Sequence, residues 1–162
     1  MSDLLLNMPF QYEPLRKNRF ICSFDHKFGI SEWTAKSAAR PTIETNETEI
    51  HFLNTSTWVG GRTVFASFQI VLRDPIGPSM SQATMEMYRL MYEASTGRMG
   101  YAAGYQQNIY IKMLDPTGVV VQKWVYWNSM ITSANFGELS MDDDGIAEIT
   151  LTIRPQYAEL LF

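Results

Sequence analysis

Cysteine is nearly missing from this chain. Cys22 stands alone, so no disulfide can form within the chain and a reducing compartment is its expected home. Histidine is scarce too: only His26 and His51 are present, which leaves little material for histidine-based catalysis or metal ligation. Positive charge is in the minority, with 13 Lys and Arg against 17 Asp and Glu and a net charge of −4. A protein that grips nucleic acid needs a basic stripe to neutralise phosphates, and Arg16-Lys17-Asn18-Arg19 is too short to supply one. No apolar run approaches the roughly 20 residues of a membrane helix, so no membrane anchor is expected. The opening stretch carries Leu4-Leu5-Leu6 without a basic flank or a small-residue cleavage site, so no secretion signal is expected.

What is present is a globular composition: 162 residues, 46% hydrophobic, 19% charged, enough for one ordinary domain with its own core. Ten Met and 13% aromatics exceed what one small core requires, and such surplus commonly serves subunit interfaces.

Period-two alternation dominates the chain. Phe20, Cys22 and Phe24 alternate with Ser23 and Asp25, and extended structure is expected to resume from Ile30 until Pro41 breaks it. Residues 42–62 are rich in Thr and Glu, carry Ile50, Phe52 and Trp58, and close on Gly60-Gly61-Arg62. Their strand propensity with little continuous apolar content predicts a protruding two-sided hairpin arm without a home in its own core. Val64, Ala66, Phe68, Ile70 and Leu72 form one face of an expected strand over 63–73, stopped by Asp74-Pro75-Ile76-Gly77-Pro78.

One helix is predicted over about 80–95. Ser79 or Ser81 would cap it, Gly97 would end it, and Ala83, Met87, Leu90, Met91 and Ala94 would pack. Two further strands, 108–114 and 119–127, flank the turn Asp115-Pro116-Thr117-Gly118. A last strand over 147–154 points Ile149, Leu151 and Ile153 inward. Six or seven strands, one helix and no βαβ alternation predict an antiparallel sandwich or barrel with the helix on one side.

Catalytic constellations are thin. Cys22 and His26 would have to be brought together by the fold to act as a nucleophile and base. Asp142-Asp143-Asp144-Gly145 has its glycine too early for a calcium loop, and Ile153 stands where the bidentate Glu belongs, so a solvated turn is the reading. Gly60-Gly61-Arg62-Thr63 lacks the spacing of a phosphate-cradling loop. Trp124, Tyr126 and Trp127 form either a core or inter-subunit aromatic face or, as an alternative, a platform for carbohydrate or peptide. No catalytic residue, metal site or cofactor is expected.

Motif order then points to a family. Arg16-Lys17-Asn18-Arg19-Phe20 opens the first strand, Lys36 to Pro41 closes the second, and a long polar hairpin ends in Gly61-Arg62-Thr63. A strand, Asp74 and a single helix follow, and Phe136-Gly137-Glu138-Leu139 with an Asp-rich turn leads into the last strand. In order and spacing, over nearly the whole chain, this series resembles the tail tube proteins of contractile-tailed bacteriophages. The resemblance implies a β-sandwich or barrel subunit that joins its neighbours in a ring-wide barrel. Hexameric rings would stack into a hollow tube that conducts genome DNA and is driven through the host envelope by sheath contraction. It implies contact between rings through the hairpin, with Ile50, Phe52, Trp58 and Arg62 as the stacking residues. The implied partners are other copies of the chain, sheath, baseplate and tail terminator proteins, and a tape measure protein and DNA in the lumen. The implied location is the virion tail, assembled in the host cytoplasm. Tubes of bacteriocins and of other contractile injection or secretion systems share the subunit fold and stand as alternatives. An acidic lumen would keep DNA from adhering, which the net charge permits.

Overall fold

The structure is a computed structural model and describes residues 11–25 and 29–162. Among the described residues, eleven strands and two helices follow in the order β1 (Phe20–Phe24), β2 (Ala35–Ser37), β3 (Ile43–Phe52), β4 (Thr55–Phe65), β5 (Phe68–Arg73), α1 (Met80–Met91), β6 (Tyr92–Glu93), β7 (Arg98–Met99), α2 (Ala102–Tyr105), β8 (Gln107–Leu114), β9 (Val120–Asn135), β10 (Glu148–Arg154) and β11 (Tyr157–Leu160). All pairings are antiparallel, as expected of the fold class.

The long strand β9 belongs to two sheet segments. Its first part pairs with β8 on one side and β11 on the other, and β1 lies beyond β8. Its last part pairs with β10, followed by β5 and β2. Two bulges make this possible by resetting the side-chain phase. At the first, Trp127 and Asn128 oppose Asn108, and Asn128 takes a φ of 48°, a left-handed conformation that Asn tolerates better than most residues. Even-numbered Tyr126 and odd-numbered Ile131 therefore both point into the core. At the second, around Thr132, the phase shifts back and Ala134 packs inward.

The core is built from both segments. Cys22, Ile109, Ile111 and Tyr126 come from one side, and Phe68, Ile70, Leu72, Ile149, Leu151 and Ile153 from the other. Phe68 stacks on Tyr126 at 4.0 Å, tying the two segments together. Helix α1 covers the core with Met80 and Met87. Its first turn is held by the Asp74 carboxylate, which accepts from the Met80 and Ser81 backbone N–H groups at 3.0 and 3.3 Å, while the Ser79 hydroxyl accepts from Gln82 N–H. An acid at that end also meets the positive end of the helix dipole.

Several expectations are corrected. The segment from Ile30 is not continuously extended: Glu32–Thr34 is a turn of 3-10 helix before the short β2. The expected strand 63–73 is two strands, because the chain leaves the hairpin at Ala66 and Ser67 before β5 begins. The helix stops at Met91, and the chain turns into the small β6–β7 hairpin. Gly100 permits that turn: its N–H donates to Met91 O at 2.9 Å, and a Cβ there would come closer than 3.0 Å to Leu90 O. Helix packing therefore uses Met80, Ala83, Thr84 and Met87, while Leu90 is exposed and Ala94 lies beyond the helix. Strand β10 is not last. After Pro155, β11 returns along β9, a strand hidden in sequence by its brevity and by the proline before it.

Candidate assembly surfaces

The β3–β4 hairpin stands out from the rest of the molecule. Every residue from 42 to 63 is exposed, and only at its base does Phe65 reach the core. Its strands are β-branched and polar, and a cross-strand bond between the Thr45 and Thr63 hydroxyls at 2.9 Å helps hold them together. Register decides which side chains share a face. Ile50 lies opposite Thr57, Phe52 opposite Thr55 and Val59 opposite Thr48. One face of the arm therefore carries Ile50, Phe52 and Val59. Trp58 lies opposite Glu49, on the other face, with Glu47 and His51. Arg62 sits at a bulge between the Thr45–Thr63 and Glu47–Gly60 pairs, where Gly61 packs against the Asn46 carbonyl. The four stacking candidates thus lie on one arm but not on one face.

Phe52 is 72% exposed and Leu53, at the tip, 89%. Large apolar groups are thus exposed on both faces of an arm that has no core of its own. The sheet edges add to this. Among the described residues β1 is bonded only to β8, β2 only to β5, and β11 only to β9, so each presents an edge able to pair with another strand. A groove of about 710 Å³ lies between α1 and the last part of β9, lined by Met85, Tyr88, Tyr92, Ala134 and Phe136.

The three aromatics of β9 are not brought together. Trp124 and Tyr126 point inward, and Tyr126 is 1% exposed with its hydroxyl donating to Ala39 O at 2.5 Å. Burial, and then the neighbouring Cys22, push its phenol well above the usual range. Trp127 lies across the bulge on the outer surface, stacked on Tyr157, with its indole N–H donating to Glu159 Oε2 at 3.0 Å. Two of the three are thus part of the core region and the third is a surface residue, so they form no common platform.

Cys22 is 1% exposed, and burial, reinforced by the Glu32 carboxylate, pushes its thiol up to about 12. A catalytic cysteine needs the opposite shift. His26 lies outside the described residues. The outer face of β1 is polar: the Ser23 hydroxyl bonds Glu32, whose carboxylate also lies 3.7 Å from Lys112 Nζ. Among the described residues no three His, Cys, Asp or Glu side chains are grouped to hold a metal ion, and no helix is long and apolar enough to cross a membrane. The Asp142–Gly145 segment forms a local turn in which Gly145 N–H donates to Asp143 Oδ1 at 2.9 Å.

No family model matches the chain, and no curated protein matches it in sequence. Solved structures do match in fold. A chain of the sheath/tube terminator of PVC, an extracellular contractile injection system, superposes with a TM-score of 0.74 at 14% identity, covering 94% of this chain and 99% of that one. A chain of the six-fold symmetrised baseplate of the anti-feeding prophage gives 0.70 at 13% identity, covering 93% and 97%. The SPP1 tail tube gives 0.55 at 13% identity, covering 91% and 78%. The chain therefore has the fold of tail tube and tube terminator proteins, seen in contractile injection systems and in a phage tail.

Proposed function

We propose that this chain is the structural subunit of a phage tail tube and acts by self-assembly. The observation that carries the proposal is the exposed β3–β4 arm: a hairpin with Ile50, Phe52, Leu53 and Trp58 in water has no role in its own subunit's core. Six copies close into a ring, free sheet edges of neighbours pair so that a common barrel lines the lumen, and the arm reaches the next ring. A ring whose upper surface binds the lower surface of the next forms a heterologous interface and propagates as a filament. Residues 1–162 act as one domain bearing the arm at about 42–62. The tube is surrounded by sheath, starts on a baseplate, ends at a terminator, and holds tape measure protein and then DNA without reading sequence. It is assembled in the host cytoplasm and resides in the virion tail. No catalytic step belongs to this role.

A second reading is favoured by one observation: the higher TM-scores come from contractile injection systems, and one of these is a terminator. In that reading the chain caps or builds the tube of a bacteriocin or an injection machine. Negative-stain microscopy of the purified full chain separates the readings. A tube subunit gives hollow tubes of constant diameter and unlimited length, whereas a terminator stops at single or double rings. A chain that stays strictly monomeric in sedimentation at millimolar concentration would refute self-assembly in either form.

A further inference from the structure

Charge is distributed unevenly over this acidic chain. A groove of about 380 Å³ between β2 and the start of the described chain has a floor of Leu15, Phe20 and Met113 and a rim of Lys17, Lys36 and Arg40. Lys36 is engaged with Glu148 at 2.5 Å, but Lys17 and Arg40 form no ion pair among the described residues. An apolar floor beneath unpaired cations calls for an occupant that is both apolar and anionic.

One segment of the chain has that chemistry. Between β9 and β10, residues 136–147 form a loop without regular structure in which every residue is exposed. It carries Glu138, Asp142, Asp143 and Asp144 together with Leu139 and Met141, which are 92% and 105% exposed. Its internal bonds are local, Gly137 N–H to Asn135 Oδ1 at 2.9 Å and Gly145 N–H to Asp143 Oδ1 at 2.9 Å, so it holds a shape without burying its apolar residues. Loops this long inside a compact fold usually have a function. Fully exposed Leu139 and Met141 cannot be lying in the groove of their own subunit.

We propose that the acidic loop 136–147 of one copy docks in the basic groove of a second copy. Leu139 and Met141 cover the apolar floor, and the Asp142–Asp144 carboxylates meet Lys17 and Arg40. The contact joins two different surfaces, so each copy offers one loop and one groove and the arrangement repeats from copy to copy. It also lets subunits with a net charge of −4 approach each other, because the charges that meet are of opposite sign. What the contact builds, whether ring or stack, rests on the self-assembly reading; the contact itself does not.

Disulfide trapping on the full chain tests it. Ser37→Cys in the groove and Ser140→Cys in the loop, which leave the charged residues in place, are mixed under mild oxidation. The native Cys22 is a silent background because it is buried. A covalent heterodimer is expected, formed at least about tenfold faster than with a control pair of Ser140→Cys and Gln69→Cys, since complementary patches steer encounter. In parallel, Lys17→Glu with Arg40→Glu should raise the concentration needed for assembly by about tenfold or more, and adding Asp142→Lys with Asp143→Lys in the same chain should restore it. Trapping no faster than the control, or assembly indifferent to the reversals, overturns the proposal while leaving self-assembly intact. Trapping without any rings or tubes upholds the contact and removes the tube. Trapping that appears only after residues 1–10 are deleted assigns the groove to that segment and also overturns the proposal.

Discussion

Removing the arm should leave the fold and abolish assembly. Register supplies a clean way to do it. Thr48 pairs with Val59 and Glu47 with Gly60, so replacing residues 49–58 by Asn-Gly closes the shortened hairpin with a two-residue turn and keeps the remaining pairs. The change deletes Ile50, Phe52, Leu53 and Trp58, all at least half exposed, and none of the buried core. Surface changes of this kind alter stability by about 0.5 kcal/mol or less, which for a chain of this size moves the melting midpoint by roughly 1–2 °C. Assembly should respond differently. A Phe side chain offers about 200 Å², and Phe52 leaves 72% of its surface in water. Covering that in an interface is worth about 3.5 kcal/mol gross at about 25 cal/mol per Å², so even after ordering costs Phe52→Ser alone should raise the critical concentration by about 30-fold or more. Circular dichroism melts and pelleting of assembled material read the two effects separately. Loss of cooperative melting in the shortened chain would mean that the arm belongs to the core, and tubes forming at the wild-type concentration would mean that it does not stack rings.

Three further perturbations probe the frame that holds these surfaces. Leu151 is fully buried on the central strand β10, so Leu151→Ala should cost about 2–5 kcal/mol in urea unfolding, several times the arm deletion. Gly100→Ala places a Cβ against Leu90 O, and a local loss of amide-exchange protection around residues 90–100 is expected with little change in the central strands. Asp115 is held below the ordinary carboxylate value of 3.8 by the Thr117 hydroxyl and then by the Val119 and Thr117 N–H groups. A lowered folded value means that its stabilisation is present in full above the unfolded value and fades as pH falls through the folded one. Asp115→Ala should therefore be less stable than wild type at neutral pH, and the two should converge as the pH falls through the folded value of Asp115; a gap independent of pH would show that the charge plays no part.

How far sequence reasoning reached follows from where local pattern and tertiary structure agree. Strands with a single uninterrupted alternation, such as Ile149, Leu151 and Ile153 on β10 or Ile109 and Ile111 on β8, were legible because period two maps directly onto burial. The Asp115–Gly118 turn was legible because its backbone needs the residues it has, with Gly118 at a φ of 90°. β9 was only partly legible. Its bulges at Asn128 and Thr132 each shift the phase by one residue, so Tyr126, Ile131 and Ala134 share a side that no fixed period assigns them. β11 could not be read because four residues after a proline carry almost no local signal, and its place is fixed by pairing with residues about thirty positions earlier. The helix was placed well at its capped start and too long at its end, where Gly100 and the β6–β7 turn, not helix propensity, decide the exit.

The arm shows the same division between what pattern gives and what register gives. Its composition was enough to expect an exposed hairpin, because Thr and Glu favour extended structure yet bury little. Grouping Ile50 and Phe52 with Trp58 by even numbering fails across a two-residue turn: pairing runs Ile50 to Thr57 and Glu49 to Trp58, so parity inverts between the strands. The consequence is functional. An arm with Ile50, Phe52 and Val59 on one face and Trp58 beside Glu47, Glu49 and His51 on the other has two unlike sides, one apolar and one an aromatic set among acids. A hairpin lying flat on a single partner would need only the first. If the chain stacks in rings as proposed, two dressed faces fit an arm inserted between two neighbouring subunits. Phe52→Ser and Trp58→Ser should then each impair stacking, with Trp58→Ser the more sensitive to salt because its face carries the charges.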